Sequence, residues 1–389
     1  MPHKILVVSH TAFRRVGRSV YIELLQKGYD ITIIHPKTLE AADGSIIQSE
    51  PKAPDEPPLI ALQQTNRNPR IQTYKGLFKE INKIQPSIII LENDPISFLA
   101  LQLGIWAKKN NVKFLCLTND NVSRTLINSY KRQGIKAVLY SMLLQTVNII
   151  TQPLVHHLFV ISNLGLKEFQ ELGYNGKVSK IPLGFDTKIF YIDEKKRKSK
   201  REELGLSTEP VIAYFGRMKF QKGIHILIEA LALLKDKPWK FMLDYFEEGG
   251  DNYKKMLLAL INKYKLNERI IWVHASHIEV ADYMRAADII VIPSLETKYF
   301  VEQYGRVLPE AMACGALTVV SKTGALPELL NQKGWVFEQG NIEELYKTLL
   351  TVLELTNSEK ETIRNNASYY SIKKLSIQAQ ATAMEPYLN

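Results

Sequence analysis

Cysteine is scarce in this chain. Its 389 residues hold only Cys116 and Cys314, without metal-ligand or redox spacing, so no disulfide framework is written here. Each sits in an apolar or small-residue run, FLCLT or AMACG, where a thiol packs as a small hydrophobe. A reducing cytosol is the expected compartment. Long hydrophobic runs are also missing: none approaches the ~20 residues of a spanning helix, so the chain is not expected to be integral to a membrane. MPHKILVVSH reads as a first strand, its apolar stretch being too short for a signal peptide. No repeat shorter than a domain occurs. With 46% hydrophobic and 23% charged residues, disordered and fibrous classes are excluded.

Acids are short in one half only. Residues 1–183 carry 22 Lys and Arg against 13 Asp and Glu, whereas residues 184–389 carry 28 against 27. An anionic partner should therefore meet the first half. The sequence pI of about 9.2 raises nucleic acid as a partner. No aromatic-basic motif or zinc spacing accompanies it, and nucleic acid is not expected.

What is present is one alternation, run through twice. KILVVS, DITIIH, PSIIILEND, VKFLCLT and HHLFVIS are short β-branched runs separated by amphipathic helical stretches such as GRSVYIELLQKG and LALQLGIWAKKNN. The pattern restarts at PVIAYFGR and continues through WKFMLDYF, RIIWVHA, DIIVIPS and ALTVVS. This is the signature of an α/β fold with two Rossmann-like open sheets. The expected division is one Rossmann-like domain over 1–183 and a second over 184–365. A helical segment over 366–389 is expected to pack back on the first domain. Between the halves, DEKKRKSKREELG reads as a solvated linker and helix start, with an anionic surface as the rival use of Lys195 to Arg201. EPKAPDEPP, residues 50–58, is a proline-rich loop of the sort that shapes a substrate site. Two such sheets should face a central cleft, with ligands at the C-terminal ends of the strands.

Two of those strand ends hold the chemistry. In YFGRMKFQKG, Gly216 and Arg217 follow a strand while Lys222 and Gly223 open a helix. Arg offers a bidentate fork, Lys a point charge and the helix start free N–H groups, which together suit a diphosphate. Two solvated surface cations would look the same. In VEQYGRVLPEAMACG, Glu302 precedes a turn at Gly305 and Glu310 lies over a turn into a small-residue helix. One carboxylate suits a sugar and the other can accept two hydrogen bonds from a ribose diol. The competing reading has Glu310 facing solvent and Glu302 capping the helix.

Taken together, FGRMKFQKG, the Glu302-x7-Glu310 spacing, AMACG and ISNLGLKEFQELGYNGKVSKIPLGFDTKIF resemble the retaining GT-B glycosyltransferases called group 1 or family 4. The resemblance implies a GT-B fold and transfer of a sugar, with retention, from a UDP- or GDP-linked donor to a glycan or lipid-linked acceptor. A role in bacterial surface polysaccharide or glycoconjugate synthesis goes with it. It implies Arg217 and Lys222 on the donor diphosphate, Glu302 at the donor sugar and Glu310 on the ribose. Glu302, Arg217 and Lys222 are then the catalytic set. Gly17, Gly216, Gln303, Tyr304, Gly305, Arg306 and Val307 join as donor contacts. The family needs no metal and no cofactor, and this chain has no Asp-x-Asp pair.

The chain also departs from the family pattern. Its first loop, HTAFRRVGRS, has one glycine and three arginines, Arg14, Arg15 and Arg18, which could meet donor phosphate or an acidic acceptor sugar. Asn119 to Asn121 stands where many members carry histidine, and Glu247 to Gly250 replaces the usual glycine-rich turn. Gln303 and Arg306 stand where a glycine and an apolar residue are common. LENDPIS, residues 91–97, is expected near acceptor hydroxyls. A non-catalytic nucleotide-sugar-binding protein, an epimerase or a phosphorylase of the same fold are the competing functions. Lys131, Arg132 and Lys136 adjoin the apolar run AVLYSMLLQTVNII. That suits peripheral contact with the inner face of a membrane. A helix burying its apolar side and showing its lysines to water gives the same sequence.

Overall fold

The structure, a computed structural model, describes residues 3–40, 46–66, 68, 70–120, 134–244, 251–276, 278–298 and 300–389. Asn121, Lys131, Arg132 and the Glu247–Gly250 turn lie outside the described residues. The chain divides into two compact units, Met1–Gly184 with Ile377–Asn389, and Phe185–Ser376.

The first unit is built on β1 (Lys4–Ser9), β2 (Asp30–Pro36), β5 (Leu59–Leu62), β6 (Ile88–Glu92), β7 (Lys113–Thr118), β8 (His157–Val160) and β9 (Val178–Lys180). They form one sheet in the order β5-β2-β1-β6-β7-β8-β9, with parallel pairing such as Ile5↔Ile31 and Ile5↔Ile88. A small antiparallel pair, β3 (Thr38–Glu40) and β4 (Ile46–Gln48), stands apart from it. Strand side chains alternate, so β1 supplies both faces: Leu6 and Val8 pack on one with the helices Leu77–Ile84 and Phe98–Lys109, Ile5 and Val7 on the other with Ser19–Gln26. Ile377, Ala381, Met384 and Leu388, spaced as one helical stripe, close that second face.

The tail expected to leave the second domain at residue 366 does so only at Ile377. The helix Asn357–Leu375 stays with the second unit, where Ser368 Oγ donates to Ala313 O at 3.0 Å and Ser371 Oγ to Pro309 O at 2.7 Å. Cys116 and Cys314 are both buried and unpaired by any disulfide, and burial pushes the Cys314 thiol up to about 12.

The second unit carries β10 (Val211–Tyr214), β11 (Lys240–Asp244), β12 (Ile270–Val273), β13 (Ile289–Ile292), β14 (Leu317–Ser321) and β15 (Trp335–Phe337) in the order β12-β11-β10-β13-β14-β15, again parallel. The linker-like charge run is a helix, Glu194–Glu203, capped by Asp193, which accepts from Lys195 N and Lys196 N at 3.0 Å. Arg197 and Arg201 are not free for an anionic surface. They grip the Asp288 carboxylate at 2.5 and 3.1 Å, fixing the helix to the start of β13.

The first loop also differs from expectation. Arg18 is fully buried and pairs with Glu56 at 2.9 Å. It donates further to the carbonyls of Ala12, Phe13 and Glu50. Arg15 binds Asp55 at 2.7 Å and Glu56 at 2.9 Å. Two of the three arginines thus hold the proline-rich loop onto the first loop rather than awaiting a phosphate.

Candidate functional site

The second unit's sheet presents two adjoining strand ends, after β10 and after β13. β10 runs out at Gly216, whose φ of +132° is one that side-chain-bearing residues rarely adopt. Its backbone bonds the Asp244 carboxylate at the end of β11, which also accepts from Ala275 N at 3.4 Å. Burial raises the Asp244 carboxyl above its ordinary range. Tyr214 Oη donates to Arg217 O at 2.9 Å, fixing the next residue of the loop, and the Arg217 side chain is exposed.

The loop then turns through Phe220–Lys222 into the helix Ile224–Leu233. Gly223 is pressed against the segment leaving β13, and a Cβ there would stand 1.9 Å from Pro293 O. Leu295 N donates to Gln221 O at 2.8 Å across the same seam. This lacing sets Lys222 against the second strand end.

There Lys222 Nζ meets Glu302 Oε2 at 2.5 Å, and Ser294 Oγ donates to the same oxygen at 2.8 Å. Glu302 is buried, and the Lys222 ammonium also lies 5.0 Å from the centre of the Phe300 ring. The backbone of Glu302 is equally constrained. Its carbonyl accepts from Ala325 N at 3.1 Å and would lie 1.8 Å from a Cβ on Gly324. Glu302 therefore anchors a bound lysine instead of capping the helix, whose N-cap position belongs to Arg306 and carries no side-chain cap.

Gly305 turns the chain with φ +77°, and the helix Val307–Ala313 follows. Gln303 is exposed, Tyr304 is buried, and Gly305, Arg306 and Val307 are half-buried. Glu310 is not on the solvent face. It is buried in the first turn of that helix. Burial pushes it up to about 7, against the opposing pull of Arg306. Once ionised, a buried carboxylate of this kind is suited to receive hydroxyl donors.

Gly17 is placed in the first unit, in the tight turn Arg15–Arg18. A Cβ on it would come 2.1 Å from Thr11 O, so its lack of a side chain serves the packing of its own loop. Acids gather at that unit's strand ends. Glu92 accepts from Thr11 and Tyr21 hydroxyls, each at 2.6 Å, and from Ser9. Thr118 Oγ1 donates to Asp94 at 2.5 Å, and Arg70 lies 3.5 Å from Asp94 and 3.4 Å from Asp120. The LENDPIS turn is thus tied within its own unit.

Ser294, Asp244 and Gly324 escaped the sequence reading. Asp244 and Ser294 each stand alone at a strand end, a signal that ordinary caps share, and Gly324 is one of the chain's 20 glycines.

Two α/β units, each built on an open parallel sheet, give the chain a GT-B fold. Residues 196–369 match the family "Glycosyl transferases group 1". A D-inositol 3-phosphate glycosyltransferase of Segniliparus rotundus is 32% identical over 155 residues, covering 39% of this chain and 33% of that protein. A GDP-mannose-dependent alpha-(1-6)-phosphatidylinositol monomannoside mannosyltransferase of Mycolicibacterium smegmatis is 29% identical over 159 residues, covering 40% and 41%. The match to the curated relatives named here spans about a third to two fifths of their length. The fold extends further. A Rickettsia africae glycosyltransferase superposes over 100% of this chain and 98% of its own, with TM-score 0.74 and 18% identity. Anabaena HepE, solved with UDP, superposes over 99% of both chains with TM-score 0.73 and 19% identity.

Proposed function

We propose that the protein is a retaining glycosyltransferase. It moves a sugar from a UDP- or GDP-linked diphosphate donor to a glycan or lipid-linked acceptor of bacterial surface polysaccharide or glycoconjugate synthesis. The observation that carries this is the pairing of Lys222 with the buried Glu302, which also accepts from Ser294, together with the buried Glu310 eight residues past Glu302. It sets a cation and a carboxylate on adjoining strand ends and a second carboxylate in the helix that follows, the polar groups that a diphosphate, a hexose and a ribose require. The name of the mycolicibacterial relative, GDP-mannose-dependent, supports a nucleotide sugar as the donor class.

In this reading Arg217 and Lys222 receive the diphosphate and, as the sugar–oxygen bond breaks, stabilise the charge that develops on it. Those two side chains take the role a metal has in other transferases. Glu310 accepts the ribose hydroxyls. Glu302, already bonded to Lys222 and Ser294, is poorly disposed as a nucleophile and instead orients hydroxyls of the donor sugar. The acceptor oxygen then bonds to the anomeric carbon from the face the diphosphate leaves, and its proton passes to the departing phosphate oxygen.

Thermal shift with a panel of nucleotides and nucleotide sugars tests the donor. The right donor at 100 times its Kd should stabilise the protein by about 2.7 kcal/mol. Product analysis with that donor and lipid or glycan acceptors should then show transfer with the donor's anomeric configuration retained. No shift with any nucleoside diphosphate would refute the reading. A shift without transfer or donor hydrolysis would make the protein a binder.

A further inference from the structure

The helix Ile135–Thr151 in the first unit is built inside out. Its outward side carries Ile135, Leu139, Met142, Leu143, Ile149 and Ile150, and Ile135, Leu139 and Ile149 are 65%, 62% and 73% exposed. Among its described side chains the buried positions are Ser141, Leu144, Asn148 and Thr151, three of them polar. Asn148 explains why a polar side can face inward: its Nδ2 donates to Leu172 O at 3.1 Å and its Oδ1 accepts from Tyr174 Oη at 3.1 Å. A helix resting on a protein core in water has the opposite pattern. Exposed leucines scattered singly need no explanation, but a stripe running about 21 Å along one helix does.

The charges around this helix say what covers it. The described residues of 101–150 carry Lys108, Lys109, Lys113 and Lys136 against a single acid, Asp120. Asp120 is itself buried, beside Arg70. The helix contains no acid at all, and Lys136 stands exposed in its first turn. The neighbouring helix Phe98–Lys109 adds exposed Phe98 and Ile105 and ends on exposed Lys108 and Lys109. No helix among the described residues is long and apolar enough to cross a membrane. A second copy of the chain would bring this cationic segment against itself. An anionic bilayer accepts both features, taking the apolar side chains at the headgroup boundary and pairing the cations with lipid phosphates.

We propose that the face of Ile135–Thr151 is a docking surface for an anionic lipid bilayer, on which the helix lies flat. The inference does not rest on the sugar-transfer reading and is tested without any donor. The full chain is sedimented with phosphatidylcholine vesicles, with or without phosphatidylglycerol, at low and high salt. Binding is expected to the phosphatidylglycerol vesicles and to weaken as salt is raised. Leu139→Ser with Ile149→Ser should weaken it about tenfold or more, and Lys136→Glu about fivefold. Both should leave the unfolding temperature near that of the unaltered chain, since these side chains are exposed. Failure to sediment with phosphatidylglycerol vesicles overturns the proposal, as does unaltered binding by the double variant. Light scattering showing a dimer that the double variant converts to monomers would assign the face to self-association instead.

Discussion

Lys222 and Glu302, 80 positions apart in the chain, meet at 2.5 Å with Ser294 on the same carboxylate oxygen. The lysine is therefore held in place before any donor arrives, and so is the glutamate. Little side-chain ordering is left for binding to impose.

Removing either cation of the proposed diphosphate site should be costly. Lys222→Ala and Arg217→Ala are each expected to lower transfer about 10²-fold, ~2.7 kcal/mol of barrier. Glu302→Gln should lower kcat more than it weakens nucleoside diphosphate binding, because it addresses the sugar. Chelator should leave transfer unchanged. Near-normal turnover by a folded Lys222→Ala or Arg217→Ala protein would refute the assignment.

Glu310 makes a prediction about pH. Its folded carboxyl titrates at about 7 against 4.5 when solvated, so the folded state holds an extra proton between those values. Stability should fall as pH rises through that window, by about 3 kcal/mol if the whole shift is realised. Glu310→Gln should thus raise the unfolding temperature relative to the natural chain at pH 8 and leave it unchanged near pH 4. If ribose hydroxyls bond the ionised form, nucleotide affinity of the natural chain rises from pH 6 to 8 with proton release. Glu310→Gln should flatten that dependence and weaken binding by ~1.5–3 kcal/mol at pH 8. Calorimetry in buffers of different ionisation heat reads the proton directly.

Gly223→Ala should behave as a packing lesion. Its new methyl would have to displace Pro293 O, a backbone atom, from 1.9 Å, at φ +68°. A loss of ~2 kcal/mol or more is expected, read as a lowered denaturation midpoint. Gly28→Ala is the control, for it shares a positive φ and meets nothing within 4 Å.

Arg18 should matter for stability rather than for donor binding. Arg18→Met leaves the buried Glu56 with Arg15 as its remaining ion-pair partner, a loss of ~3 kcal/mol. Arg18→Met with Glu56→Leu should recover part of it. Nucleotide affinity measured well below the unfolding temperature should be unchanged, and a selective loss of affinity would return Arg18 to the binding site.

The alternation of β-branched runs with amphipathic stretches determined, without any structure, two parallel open sheets and the strand ends where chemistry belongs. Period-2 and period-3.6 patterns are local, and so are legible along the chain. Tertiary structure decided the rest. Arg14, Arg15 and Arg18 read alike in one loop, yet Arg18 is buried because Glu56, 38 residues on, supplies a counter-charge and carbonyls complete its fork. The charge run before β10 looked solvated until Asp288 took two of its arginines. The stripe on Ile135–Thr151 was visible as a period, but a period cannot say which side faces in. That depended on Tyr174 and the Leu172 carbonyl, which satisfy Asn148 and leave the apolar side outward. Burial and pairing are sums over residues far apart in sequence, and only the folded chain brings them together.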